Sequence, residues 1–535
     1  MEEEQISGFI NSFSDRYYPN DNSSHDTNPN NYYYYYDEEE EEEEESSYDH
    51  RTKRSKHAPI LEEEDRISAL PDSILFSILC FLPINDAIKT GVLSKRWASL
   101  WTSLPSLSFD SNSFEYLKDF TRAVDDTLLL HRAPKLAKFD IRSEYDKDLD
   151  PRLDIWVRFA TNAKVDQLSL RLSSPYLYPD PIEYQLPQHL YANEFVSEFN
   201  FSFCKIKPIG LLHWVSLKRL CIQKSALRED VMRKVLMGSP RLESMELHDC
   251  YDFHRLDIVS ESLRKLVIDS YLVCMLESEE RKLELEIVAP KIECLEILGC
   301  FNIKCRIKDV SALVEAKLDF NMWNGYDSDE EEGACEKYQD IVRDILESVH
   351  HVKKLTVGHW CLMVVSIMSM EHLPSPLSKC QRLTMKTDME KENLPGIARL
   401  LQSSPFVETL NINITSSYSY YIGSEFLKRH CRCSYRDEVK HWKSGGIYFK
   451  SLLVCLKTVK IFGFGERLFH GKEEFILVVQ FLLKNAKVLE KMVITTPRDM
   501  QNERRILLLK FLKVAQKLLS FPRSSPHAMI MFPYL

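Results

Sequence analysis

Hydrophobic and polar positions along the 535 residues are arranged in three different ways. Residues 1–60 carry almost no apolar periodicity. Asn20 to Asn31 is rich in Asn, Ser and Asp, Tyr32 to Tyr36 is a tyrosine run, and an acidic run follows. Such a segment buries too little apolar area to offset its ordering entropy, which predicts a disordered tail. From 65 to 105 the apolar residues fall at helical spacing. Ile74, Leu75, Ile78, Leu79 and Leu82 form an amphipathic stripe, with Pro71 near its start, where a missing N–H costs little, and Pro83 at its end. Asn85 is placed to cap a short second helix carrying Ala87 and Ile88, which Gly91 breaks. Ser94 is placed to cap a third, where Trp97 and Trp101 lie one turn apart with Leu100 between. About forty residues with this much apolar surface do not close a core alone, so the surplus is buried against the rest of the chain or against a partner.

Beyond residue 130 a shorter pattern takes over: apolar, two residues, apolar, one residue, apolar. It occurs as Leu136/Phe139/Ile141, Val165/Leu168/Leu170, Val196/Phe199/Phe201, Leu217/Leu220/Ile222, Leu242/Met245/Leu247, Leu263/Leu266/Ile268 and Ile292/Leu295/Ile297. It continues as Leu313/Ala316/Leu318, Val352/Leu355/Val357, Cys380/Leu383/Met385, Val407/Leu410/Ile412, Leu456/Val459/Ile461 and Leu489/Met492/Ile494. Most intervals between copies lie near the ~20–29 residues of leucine-rich repeats. Gly238-Ser-Pro and Ser403-Ser-Pro each separate a helical stripe (Leu227, Val231, Val235; Ile397, Leu400, Leu401) from the strand that follows. The last two apolar positions of each copy point the same way on a strand, and the residue between them points oppositely. Each unit therefore stacks on its neighbours to bury one face. The fold class predicted is α/β: a small all-α three-helix module, then a leucine-rich-repeat solenoid with a parallel sheet on its concave face and helices outside.

The outward row would be Asp140, Ser169, Asn200, Cys221, Glu246, Val267, Glu296, Lys317, Thr356, Thr384, Asn411, Lys460 and Val493. Its mixed charge and lack of an aromatic stripe speak against nucleic-acid stacking and name no ligand or pocket. Two long intervals hold insertions: an acidic loop at Asp327 to Glu332, and residues 416–447, with Tyr418, Tyr420, Tyr421 and a His430-Cys-Arg-Cys433 group.

Composition narrows the function. Net charge is −11, of which Asp37 to Glu45 supplies nine negative charges, so the rest is nearly neutral and has no basic stripe for a phosphate backbone. No apolar run approaches the ~18 residues of a membrane span. Glycine is scarce, with 15 in all, and no phosphate-cradling loop is found. The 14 cysteines keep no regular spacing, which reads as reduced thiols in the cytosol or nucleus. The Arg51 to His57 segment is either a nuclear import signal or a solvated basic patch. No serine-nucleophile elbow or zinc-protease motif occurs. His350-His351 reads as a turn leading into a strand, and His430 to Cys433 lacks a fourth ligand at zinc spacing. No catalytic residue, cofactor or metal is assigned.

Leu70-Pro71, Ile74, Leu79, Leu82-Pro83, Ala87 and Val92-Leu-Ser-Lys-Arg-Trp97 with Leu100-Trp101 resemble the F-box of plant F-box proteins. The resemblance implies docking on a Skp-family adaptor, and through it on the cullin and RING subunits of an SCF ubiquitin ligase. It places Leu70, Pro71, Ile74, Leu79, Leu82 and Pro83 in or beside that interface. Val92, Leu93, Trp97, Leu100 and Trp101 either share the interface or pack the module. Leu456 to Phe464, Glu473 to Ala486 and Leu489 to Ile494 resemble the FBD domain that follows the repeats in many such proteins, and read here as a terminal repeat sealing the array. The implied organisation is a tail at 1–60, an F-box at 65–105, repeats at 130–415, an inserted loop at 416–447, the FBD region at 448–500 and a C-terminal segment at 501–535. The expected function is substrate recognition within an SCF ligase, with no chemistry in this chain. The target protein is not legible, and the alternative is a non-degradative F-box/repeat scaffold.

Overall fold

The computed structural model describes residues 67, 70–174, 183–271, 284–322, 334–368, 377–415, 453–464, 472–495 and 504–533. The tail, the Arg51 to His57 segment, the acidic loop at 327–332 and the His430 to Cys433 group lie outside them. The described residues form two compact units: one joins those up to 106 with 113–133, and the other joins 107–112 with those from 134 onward.

The first unit is helical. α1 (Asp72–Leu79) starts after Pro71, α2 (Ile84–Lys89) after Pro83, and α3 (Lys95–Leu100) after Ser94, whose hydroxyl accepts from the Trp97 amide. The cap at Ser94 is as the sequence predicts. At α2 it is not: Pro83 occupies the cap and Asn85 lies inside the helix, because a proline already has the φ that a first turn needs and no N–H to leave unpaired. Gly91 does not end the helical path, which continues as a 3₁₀ turn over Thr90–Val92. A fourth helix, α4 (Leu117–Leu130), was not predicted; it buries Phe120, Val124 and Leu128 at i, i+4 spacing. Its end is tied back by the Arg132 amide donating to Thr102 O and by His131 Nε2 bonded to Leu104 O at 2.8 Å. Burial lowers the pKa of His131 despite that bond.

The second unit is a repeat array. Among the described residues its main sheet has fifteen strands in chain order. They are β1 (Ser106–Asp110), β2 (Lys138–Glu144), β3 (Gln167–Ser173), β4 (Glu198–Ser202), β5 (Arg219–Gln223), β6 (Ser244–His248), β7 (Lys265–Tyr271) and β8 (Cys294–Phe301). Then come β9 (Glu315–Met322), β10 (Lys354–Val357), β11 (Arg382–Thr387), β12 (Thr409–Ile414), β13 (Thr458–Phe462), β14 (Lys491–Ile494) and β15 (Met529–Met531). Every neighbouring pair from β2 to β15 is parallel. The register follows the sequence pattern: Phe139 pairs with Leu168, Leu168 with Phe199, and so on to Val459 with Met492, so both inward apolar rows run unbroken through thirteen strands. All twenty-six inward residues are buried. A continuous core follows from a two-residue alternation repeated in register.

Three features differ from the sequence reading. First, β1 and β15 extend the sheet at either end, so the FBD-like strand at Lys491–Ile494 is not the last. Second, three outer segments, Arg255–Asp257, Glu284–Val288 and Lys304–Lys308, are strands in a small parallel sheet of their own rather than helices. Their sequences alternate polar and apolar (ELEIV, KCRIK), a two-residue period that suits a half-buried strand. Third, Leu227 precedes its helix, α5 (Glu229–Gly238), instead of lying within it. Elsewhere the predicted helices form. Phe475, Val478, Val479, Leu482 and Leu483 are the buried face of a helix at Lys472–Asn485, and Ile397, Leu400 and Leu401 are buried in one at Leu394–Ser403.

Candidate functional site

The helical unit has an apolar core and a separate apolar surface. α1 contributes to both. Leu75 and Leu79, one turn apart, point inward and are fully buried, joined by Ile84, Ala87, Ile88, Trp97 and Trp101. Ile74 and Ile78, also one turn apart, are exposed, and Phe81 (89% exposed) and Leu82 continue that side past the helix end. Val92 and Leu93 (63%) add exposed apolar surface just before α3. Pro71 and Pro83 are exposed and Leu70 is half-buried. Arg96 closes the module: its Nη2 donates to Leu70 O at 2.6 Å and its Nε to the Asp72 carboxylate, so the turn before α1 is fastened to α3. The apolar surface therefore sits on a module whose own core is filled.

The second candidate surface is the outward face of the repeat sheet. Here a cleft of about 330 Å³ lies over β2 to β6, lined by Lys138, Arg171 and Arg219, by Asp140, Glu198 and Glu246, and by Ser169, Asn200 and Cys221. The outward row named from the sequence thus does carve a pocket, which its composition alone did not reveal. Two of its members are not outwardly accessible: Asp140 and Val267 are buried. Asp140 is covered because Arg171 reaches across from β3 and donates to both its oxygens, at 3.1 and 2.5 Å, while Ser108 and Lys138 approach it from β1 and β2. Asn200 Oδ1 is a buried acceptor without a partner among the described residues.

At one edge of the cleft, Cys221 on β5 faces Glu246 on β6, its direct register partner, and His248 lies two residues further along β6. One ligand atom from each can lie within 4.8 Å of the others. His248 Nδ1 is bonded to Asp269 Oδ2 on β7 at 3.1 Å, and its Nε2 is 3.6 Å from Glu246 Oε2. The bond to Asp269, and then the nearby Cys221 sulfur, raise the pKa of His248 to about 10, and the same bond lowers that of Asp269. By contrast, burial pushes up the thiols of Cys204, Cys250, Cys305 and Cys361, Cys305 to about 12, which suits packing rather than reaction. The ten cysteines whose side chains are described are free thiols.

Comparison with known proteins bears on both surfaces. A family model described as "F-box domain" matches residues 67–109, one described as "FBD-associated F-box protein At5g56370, LRR repeats" matches 153–313, and one described as "FBD" matches 449–494. Among Arabidopsis thaliana proteins with F-box/LRR-repeat protein in their names, At3g18150 is 31% identical over 453 residues, covering 83% of this chain and 90% of that one. At5g02910 is 30% identical over 436 residues, covering 80% and 88%. The chain belongs to the F-box/LRR-repeat protein family.

With that established, the F-box residues predicted from sequence sort by geometry. Ile74, Leu82, Pro71 and Pro83 are on the exposed side, with Leu70 at its edge. Leu79, expected in or beside the interface, is fully buried in the F-box core, because it shares the inward stripe of α1 with Leu75 rather than the outward stripe of Ile74 and Ile78. Of the residues with two possible roles, Trp97 and Trp101 are core, Leu100 is half-buried, and Val92 and Leu93 are exposed. Ile78, named only as part of the helical stripe, and Phe81, not named from sequence, are exposed on the same side. An exposed Phe at a helix end is visible in sequence only once the phase of α1 is known. Cys221, Glu246 and His248 could not have been grouped from sequence, because only the β5–β6 register brings together residues so far apart in the chain. No described helix is long and apolar enough to cross a membrane.

Proposed function

We propose that this F-box/LRR-repeat protein is the substrate-recognition subunit of an SCF-type ubiquitin ligase. Its F-box docks on a Skp-family adaptor through Ile74, Ile78, Phe81, Leu82, Val92 and Leu93, and the outward face of its repeats holds the target. The observation that carries this reading is the exposed apolar surface on a module whose core is already closed by Leu75, Leu79, Trp97 and Trp101. Solvent-facing Phe, Ile and Leu gathered on adjoining turns gain nothing for the isolated chain and much for an interface centre. The role needs no catalytic residue here. The subunit acts by proximity, raising the local concentration of the target's lysines beside a charged ubiquitin carrier.

The test is Leu82→Asp combined with Pro83→Ala in the full chain. Adaptor affinity is expected to fall at least ~30-fold, as for loss of an interface hot spot, with the repeat unit's thermal unfolding unchanged. Undiminished adaptor binding would refute the docking surface. Recovery of cullin and RING subunits along with the adaptor supports the ligase, whereas adaptor alone supports a scaffold.

A further inference from the structure

We propose that Cys221, Glu246 and His248 form a binding site for a divalent transition-metal ion, zinc by its ligand chemistry, on the outward face of β5 and β6. The site is independent of the ubiquitin-ligase reading. A thiolate, a carboxylate and an imidazole are three of the donors that zinc takes, and three protein ligands with an open fourth position are the usual arrangement of a reactive or exchangeable zinc site.

The geometry supports it in four ways. Zinc–sulfur and zinc–nitrogen bonds of about 2.3 and 2.0 Å in a tetrahedron hold their donors about 3.5 Å apart. His248 Nε2 and Glu246 Oε2 are already 3.6 Å apart, and all three ligand atoms fall within 4.8 Å of one another, a gap that side-chain rotation closes. The imidazole is oriented for the task. Its Nδ1 is taken by the Asp269 carboxylate at 3.1 Å, which turns Nε2 toward Glu246, the carboxylate–histidine pairing that fixes ring direction at metal centres. Asp269 is itself held by the Ser270 hydroxyl at 3.4 Å, where the β7–β8 register shifts. Gln223 Nε2 lies 3.3 Å from the Cys221 sulfur, a donor suited to a thiolate ligand. The three ligands are half-exposed, so an ion can enter, and Cys221 and Glu246 also line the cleft, so the fourth position opens toward it. The alternative use of these groups is a cross-strand polar ladder, since Lys265 also reaches Glu246 at 3.8 Å.

Cobalt(II) as a spectroscopic probe separates the two. Titrated into the metal-free full chain, one equivalent is expected to give tetrahedral d–d bands and a thiolate-to-cobalt charge-transfer band, both removed by added zinc. Cys221→Ser should abolish the charge-transfer band, His248→Gln should weaken cobalt binding at least ~10-fold, and Asp269→Asn should weaken it ~10–100-fold through the ring's orientation. A double variant, Cys431→Ser with Cys433→Ser, should keep the band, which excludes the other Cys/His group of the sequence. Circular dichroism of the metal-free Cys221→Ser chain, expected to match wild type, shows that any loss is not unfolding. No charge-transfer band in wild type, its survival in Cys221→Ser, or its loss only in the Cys431/Cys433 variant would each overturn the proposal.

Discussion

Leu79 is the last residue of α1 and Leu82 lies three residues further on, past the helix end, and their surroundings differ. Leu79 fills the F-box core, while Leu82 faces solvent beside Phe81. Leu79→Ala should therefore cost ~2–5 kcal/mol of F-box stability, the transfer and cavity cost of a buried leucine. Leu82→Ala should change it by no more than about 0.5 kcal/mol, as for most surface positions. Denaturant unfolding of the two variants checks this, and equal losses would contradict the assignment of faces. His131 offers a second residue-scale expectation. Its pKa is lowered by burial, so the folded state resists protonation more than the unfolded chain does. Stability from this residue is complete above the unfolded value of about 6.5 and is lost as pH falls through the lower folded value. Wild type should lose more stability between pH 7.5 and 5.5 than His131→Gln does. An equal loss in the two proteins would remove His131 as the cause.

At the scale of elements, register explains most of what could be read from sequence. The thirteen predicted strands form because each carries the same two inward positions, and parallel pairing in chain order aligns them into continuous rows. What the pattern could not give were elements with too few residues to show a period. β15 has three residues, and β1 (Ser106–Asp110) precedes the first copy of the apolar repeat, so neither was counted in the series. The general expectation of helices outside the sheet does not hold for the strands Arg255–Asp257, Glu284–Val288 and Lys304–Lys308, whose own alternation favours strand. Helix-to-helix packing is also invisible in a hydrophobic pattern. Gly396, in the helix Leu394–Ser403, lies where an added Cβ would stand 2.4 Å from Leu362 O and 2.5 Å from Ser366 Oγ of the helix His359–Ile367. Its amide donates to that same Ser366 hydroxyl at 2.9 Å, and Arg399 Nη1 donates to Val365 O at 2.9 Å. In an open helix Gly→Ala stabilises by up to ~1 kcal/mol. Here Gly396→Ala should instead destabilise by ~1–3 kcal/mol by forcing the two helices apart. The sign of the change in equilibrium unfolding decides.

For the whole molecule, the division of labour between an F-box and a repeat array was legible because each has its own period, 3.6 residues in one and a strand alternation spaced by repeats in the other. The exposed apolar face proposed for docking was only partly legible. Ile74, Leu82 and the two prolines could be named, but telling them from Leu79 needed the phase of α1, and adding Phe81 needed the same. The outward sheet face was legible as a row, yet its cleft and the Cys221/Glu246/His248 cluster arise only when neighbouring repeats are laid side by side.

The central claim, that the exposed face of the F-box exists for an adaptor, is tested most directly by hydrogen exchange on the full chain with and without a saturating Skp-family adaptor. Backbone amides between Asp72 and Trp97 should gain protection, while those of β2 to β14 should exchange at unchanged rates. Protection concentrated in the repeat strands, with residues 72–97 exchanging as in the free chain, would contradict it.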